Sequence, residues 1–197
     1  MTNQSASPLP VSAIMLAAGR SQRFGSDKRL FPVASGSMLQ QSLSKPLLLN
    51  IPTLLLLHPD DHTHLGDLLG DAVDHPQLNI GYADDAEKGM GHSLACAVSS
   101  LKDIKAVLIM LADMPWLQVE TIDRLLQHYV EGNIVLPRYQ GQSGHPVLFS
   151  KHWFPALQQL SGDHGAKKII AANPQAINTV DVNDIGVIKD MDTPPVS

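Results

Sequence analysis

The sequence predicts an α/β fold: one open sheet, mostly parallel, with helices on both faces. Short apolar runs alternate with helix-like segments along the whole chain. Two of those runs, residues 11–17 and 105–111, are apolar at nearly every position. Strands covered on both faces read this way, whereas a one-sided strand would alternate with polar residues. No internal repeat and no linker divides the chain.

Taken in order, residues 1–10 are polar and proline-containing and are expected to be a disordered lead-in to a single domain over 11–197. Residues 11–17 form the first strand. Residues 37–44 are expected to form a short helix ended by Pro46, and residues 53–57 the second strand. His58-Pro59-Asp60-Asp61 should turn into a helix running to about Leu69 and stopping at Gly70. Residues 78–82 read as the third strand, and residues 89–99 as a helix opened by a Gly-rich turn. The strand at 105–111 is the clearest of all. Residues 120–130 have the period of an amphipathic helix, with Ile122, Leu125, Leu126 and Tyr129 inward. Short strands follow at 134–136 and 146–149, helices at 153–160 and 165–172, and closing strands at 176–180 and 187–189.

Composition narrows the function classes. The 197 residues suit one domain, and 44% hydrophobic content is enough for a substantial core. A net charge of −5 argues against a general nucleic-acid surface, while leaving room for a local basic pocket. One cysteine, Cys96, excludes an internal disulfide framework and fits a reducing compartment. No apolar run reaches membrane-spanning length and no signal pattern opens the chain, so a soluble cytoplasmic protein is expected.

The chain is organised around the end of its first strand. After the apolar run that ends Ile14-Met15-Leu16-Ala17, the small residues Ala18 and Gly19 give way to a polar loop carrying Arg20, Arg23 and Lys28. Ala18 and Gly19 let backbone approach a ligand closely, and exposed N–H groups in such a turn can form an anion nest. Three cations nearby suit a polyphosphate. Neither the Gly-x-x-x-x-Gly-Lys-Ser/Thr loop nor Gly-x-Gly-x-x-Gly is present; an ordinary strand followed by a basic surface loop is the plainer alternative. At the far end of the strand at 105–111, Leu111-Ala112-Asp113-Met114-Pro115 puts a carboxylate on the edge where open sheets bind ligands. Asp113 suits Mg²⁺, which takes few protein oxygens plus substrate phosphates; it equally suits a cap of the following turn. His58, His62 and His64 cluster, but no ligand spacing completes a metal site there, and they read as a solvated helix start.

Leu16-Ala17-Ala18-Gly19, Arg23-Phe24-Gly25 and Lys28 together resemble the signature of the sugar-phosphate-type nucleotidyltransferases, and within them the molybdenum cofactor cytidylyltransferases. The resemblance runs over roughly residues 11–194. It implies a Rossmann-like fold of the nucleotide-diphospho-sugar transferase type, with Arg23, Lys28 and Asp113 as catalytic residues. Nucleotide contacts would come from Leu16, Ala17, Ala18, Gly19, Arg20, Arg23 and Lys28. Ala-Asp-Met-Pro resembles the family's Gly-Asp-Met-Pro, whose Asp holds the metal. Asp190-Met191-Asp192-Thr193-Pro194 resembles the terminal Asp-Ile-Asp-Thr-Pro, making Asp192 the second metal candidate. Gly89-Met90-Gly91-His92-Ser93-Leu94 resembles a base-and-ribose element, with Gly89 and Ser93 the contacts and an open helix N-terminus as the attraction. The preceding Ala83-Asp84 departs from the family's Asn-Pro. Gly144-His145-Pro146-Val147-Leu148-Phe149 and Gly162-Asp163-His164-Gly165-Ala166-Lys167 resemble acceptor-side elements, implicating His145, Asp163 and Lys167, with Lys167 in place of the usual Arg.

The expected reaction moves CMP from CTP to the terminal phosphate of molybdopterin, releasing pyrophosphate, with Mg²⁺ as cofactor and a molybdenum hydroxylase as a possible recipient. Leu-Ala-Ala-Gly relatives tend to use cytidine; the Ala18 methyl crowds a purine. Two alternatives stand beside it: the same transfer to another phosphorylated acceptor such as a sugar phosphate, and a non-catalytic molybdenum cofactor-binding chaperone. No nucleic-acid or membrane partner is expected.

Overall fold

A computed structural model of the chain describes residues 9–19, 27–33, 36–83, 89–162 and 165–191. Its elements are β1 (Val11–Leu16), β2 (Pro32–Val33), β3 (Gly36–Ser37), α1 (Met38–Leu48), β4 (Thr53–Leu57), α2 (Leu65–Leu69), β5 (Leu78–Tyr82) and α3 (Met90–Ser100). Then come β6 (Ala106–Leu111), α4 (Val119–Gln127), β7 (Ile134–Tyr139), β8 (Gln142–Ser143), β9 (Val147–Ser150), α5 (Phe154–Leu157), α6 (Lys167–Ala172) and β10 (Ile177–Asp181).

The sheet order is β10-β7-β9-β6-β1-β4-β5, with β8 paired to β7. β5, β4, β1 and β6 are parallel neighbours, as are β7 and β10. β9 lies antiparallel between β6 and β7. This is the expected mostly parallel α/β sheet, a single-domain Rossmann-like fold of the nucleotidyltransferase type.

The apolar runs become the central strands because they serve two cores. Ala13 and Met15 of β1 and Leu108 and Met110 of β6 face α1, α2 and α4, through Leu39, Leu43, Leu68, Ile122 and Leu125. Ile14, Val107 and Ile109 face the opposite way, onto Leu94 and Val98 of α3, Phe154 and Leu157 of α5, and Ile169 of α6. Successive strand residues point to opposite faces, so burial of both faces selects a nearly continuous apolar sequence, interrupted in β1 by the buried Ser12. Each fully buried Leu or Ile contributes roughly 1.5–3 kcal/mol relative to exposure. Among the described residues no helix is long and apolar enough to cross a membrane.

Four local expectations are corrected. α1 starts after Ser37, in a capping box with Gln40, and runs to Leu48 with Pro46 inside it. Pro46 falls in the last turn, where only one intrahelical bond is lost and Leu47 still reaches the core. The single helix expected over 58–69 is a 3₁₀ turn, Pro59–Thr63, followed by the five-residue α2, which Gly70 ends at φ 53. The expected helix over 153–160 narrows to the four residues of α5. The expected strand at 187–189 does not form. Ile185–Val187 is a 3₁₀ turn because the Asp184 carboxylate takes the Gly186 N–H at 2.8 Å.

Candidate functional site

The parallel register pairs Leu16 with Leu111, the last residues of β1 and β6. The segments that follow, Ala17-Ala18-Gly19 and Ala112-Asp113, therefore leave the sheet side by side. Backbone bonds carry the alignment past the strands: Ala17 N–H donates to Leu56 at 2.9 Å and Ala112 N–H to Leu16 at 3.3 Å. The Ser42 hydroxyl of α1 also donates to the Ala112 carbonyl at 3.0 Å, fixing the turn that carries Asp113.

Lys28 and Asp113 meet at this edge. Lys28 Nζ donates to Asp113 Oδ2 at 2.9 Å, although 85 residues separate them. Lys28 is held by a 3₁₀ turn, Lys28–Leu30, which Asp27 caps through the Arg29 N–H. The other Asp113 oxygen, Oδ1, is buried and has no partner among the described residues. A buried carboxylate oxygen left without a donor is costly, and calls for a partner beyond the described residues, such as a water or an ion. Mg²⁺ and similar hard cations take such oxygens at low protein-ligand number. No group of three or more His, Cys, Asp or Glu side chains able to hold a metal exists among the described residues.

Gly19 belongs to the same edge. A Cβ added there would meet nothing described within 4 Å, and its φ lies outside the left-handed region. The fold itself therefore does not require glycine at this position.

His145 approaches from the next strand. It precedes β9, which pairs antiparallel with β6. Its N–H donates to the Val187 carbonyl at 2.8 Å, and its ring Nδ1 is buried without a partner among the described residues. Burial pushes the imidazole below its ordinary pKa, the Lys167 charge adds to this, and Asp113 and the Ile109 carbonyl only partly oppose it. His145, Lys167 and Asp113 thus share one electrostatic neighbourhood. Gly144 is glycine for a packing reason: a Cβ there would lie 1.8 Å from the Val187 carbonyl oxygen.

The Gly89–Ser93 element differs from the expectation of an open helix end. Gly89 precedes α3 at φ 94 without a side-chain cap. Gly91 N–H is taken by the Gly162 carbonyl at 2.8 Å, and a Cβ on Gly91 would come within 2.8 Å of that oxygen. The His92 and Ser93 N–H groups both turn back to Gly89. Gly91 therefore docks the 161–162 turn against α3, joining two sequence motifs back to back, and Ser93 is buried.

Arg20, Arg23, Asp163 and Asp192, all expected site residues, lie outside the described residues. Among the described ones, Leu16, Ala17, Ala18, Gly19, Lys28 and Asp113 come together, with His145 and Lys167 in the electrostatic neighbourhood of Asp113. His58 and His62 serve local backbone contacts, to the Asp60 N–H and the Pro59 carbonyl.

Sequence reasoning missed the Arg29 cluster. Arg29 Nη1 and Nη2 pair with Asp61 at 2.5 and 2.8 Å, Nε and Nη2 with Asp27 at 2.9 and 2.7 Å, and Nη1 also donates to the Ala17 carbonyl at 3.0 Å. It also missed Asp184. That buried carboxylate accepts from the Gln118 N–H at 2.9 Å and the Thr121 hydroxyl at 2.7 Å, capping α4 from 66 residues away. The only advance signal for either was an Asp in a turn, which is too common to single out.

Residues 13–177 match the family described as the MobA-like NTP transferase domain. Among curated proteins, the chain is 29% identical over 188 residues to "Purine catabolism protein PucB" of Bacillus subtilis (strain 168), covering 92% of this chain and 91% of that one. It is 25% identical to "Nicotine blue oxidoreductase" of Paenarthrobacter nicotinovorans, covering 93% and 92%. Among solved structures, Rv0371c of Mycobacterium tuberculosis H37Rv superposes with a TM-score of 0.78 at 25% identity, covering 95% of both chains. A complex of the same protein with manganese superposes at 0.73, with 22% identity and 89% of both chains covered.

Proposed function

The chain belongs to the MobA-like NTP transferase family, and from that premise we propose that it moves CMP from CTP to the terminal phosphate of molybdopterin and releases pyrophosphate. The observation that carries this reading is the Lys28–Asp113 pair beside the Ala17-Ala18-Gly19 turn, with one buried Asp113 oxygen lacking a partner among the described residues.

Lys28, with Arg20 and Arg23 from the same sequence motif, balances the triphosphate charge and that of the departing pyrophosphate. The acceptor phosphate has a second pKa near ~6, so it is already ionised at neutral pH and needs no strong base. The residues' work is placement and charge neutralisation. A divalent metal held on Asp113 Oδ1, with Asp192 as second candidate, would supply further neutralisation at the phosphate oxygens. Mg²⁺ fits the oxygen donor, and the manganese complex of the mycobacterial neighbour supports a divalent ion of this kind. The buried imidazole of His145 and the Lys167 ammonium face the acceptor. Ala18, half-buried at the turn, favours a pyrimidine over a purine.

The alternative reading is a non-catalytic molybdenum cofactor-binding chaperone, which would use the same sheet edge for binding and delivery without turnover. A matrix of CTP and GTP against molybdopterin and sugar phosphates, with and without Mg²⁺, tests both. Mg²⁺-dependent pyrophosphate release with CTP and molybdopterin is the expected result. Equal use of CTP and GTP overturns the base assignment, and turnover only with a sugar phosphate overturns the acceptor. Cofactor binding with no pyrophosphate release leaves the delivery reading standing.

A further inference from the structure

Arg29 sits next to Lys28, and its charge alone would suit a polyphosphate. Its geometry says otherwise. A guanidinium has five N–H donors, and all five are used. Nε donates to Asp27, Nη1 to Asp61 and the Ala17 carbonyl, and Nη2 to Asp27 and Asp61. None remains for a ligand. One guanidinium against two carboxylates also leaves the cluster net negative, the wrong sign to hold a phosphate. The pairing holds Arg29 well above its usual pKa despite burial, and overcomes burial to lower Asp27.

The positions of the three partners are informative. Ala17 is where β1 runs out, and Asp27 closes the same loop and caps the turn that carries Lys28. Asp61 lies just past β4, the neighbour of β1, and its carboxylate is pinned by the His58 N–H at 2.9 Å. The side chains of Arg29 and Asp61 are only 14% and 12% exposed, so solvent screens the pairing weakly.

We propose that Arg29 is a positioning residue: by tying Ala17 and Asp27, the two ends of the nucleotide loop, to Asp61 at the sheet edge, it holds those two ends in register with the Lys28–Asp113 pair. This rests on the reading of the loop as a nucleotide site. The clamp is assembled before any nucleotide arrives, so the cost of ordering Ala17 and Asp27 is met in the fold and not on binding.

The test uses Arg29→Lys and Asp61→Asn in the full chain. Lysine keeps the charge but cannot form two bidentate pairs, and Asp61→Asn keeps the shape while weakening one of them. CTP affinity is measured by calorimetry, independently of turnover, alongside KM for nucleotide and for acceptor. We expect both variants to bind CTP about tenfold or more weakly, with kcat/KM for CTP down by about 10²-fold and the acceptor KM unchanged. Combining Arg29→Lys with Lys28→Ala should cost less than the product of the two single effects, since one acts through the other. A purely structural role would lower the melting temperature and affect both substrates alike. Unchanged CTP binding in Asp61→Asn, or full additivity with Lys28→Ala, overturns the clamp. If the wild-type chain binds no nucleotide, the functional reading fails and the clamp fails with it; if it binds CTP and both variants match it, only the clamp fails.

Discussion

Lys28 and Asp113 stand 2.9 Å apart at the ends of the two central strands, joined by a β1–β6 register that pairs Leu16 with Leu111. The contact uses one carboxylate oxygen and leaves the other buried without a partner among the described residues. The pair therefore satisfies only part of the Asp113 carboxylate's hydrogen-bonding capacity among the described residues.

Asp113→Asn should reduce turnover by about 10²–10³-fold, in line with other groups that stabilise developing charge. The amide keeps the shape but loses the charge that suits both Lys28 and a divalent ion. Manganese binding in the presence of CTP, followed by electron paramagnetic resonance, should weaken in parallel. Near-wild-type turnover and metal binding would remove Asp113 from the mechanism.

Gly19→Ala separates function from folding. The added methyl meets nothing described within 4 Å, so the melting temperature should hold within about 2 °C. Nucleotide affinity should nevertheless fall, because the methyl enters the space a close-approaching phosphate would use. Unchanged CTP affinity would show that the turn does not receive the nucleotide.

Gly144→Ala should behave in the opposite way. Its Cβ would lie 1.8 Å from a backbone oxygen of Val187, which no rotamer change relieves. Destabilisation of about 3 kcal/mol, at the upper end of overpacking costs, is expected in denaturant melts. Because the His145 N–H bonds the same carbonyl, acceptor KM should rise as well. A stable variant would contradict the packing seen here.

Asp184→Ala removes the acceptor of two backbone N–H groups and one hydroxyl in a site that is 1% exposed. Leaving those donors unmet should cost about 3 kcal/mol or more in chemical denaturation. Asp184→Asn should recover part of it, since its amide oxygen still accepts.

Stability should also depend on His145 in mildly acidic solution. Its folded pKa lies below 6.5, chiefly through burial, so the unfolded chain takes up the proton first as pH falls. Stability attributable to neutral His145 is whole above about 6.5 and is lost as pH drops from there toward the folded pKa. His145→Gln should flatten that part of the curve of melting temperature against pH between about 7.5 and 5. An identical slope in the variant would place the titration elsewhere.

Much of this protein was legible as pattern. The nearly continuous apolar runs of β1 and β6 determined two-sided burial, and with it a parallel sheet whose carboxyl edge carries Ala17-Ala18-Gly19 and Asp113. The ordered motif around Lys28 determined the family. These properties are local: periodicity and spacing record them directly. What only the tertiary structure decided is which polar groups find each other across long stretches of chain. Arg29 carried no signal in the sequence, and its pairing with Asp61, 32 residues on, is set only by the fold. Asp184 was an ordinary turn residue until α4 was packed above it. Gly91 suggested an open helix end, and the 161–162 turn fills it. Hydrogen-bond saturation and steric approach depend on distances between segments far apart in sequence, and no periodicity along the chain encodes those distances.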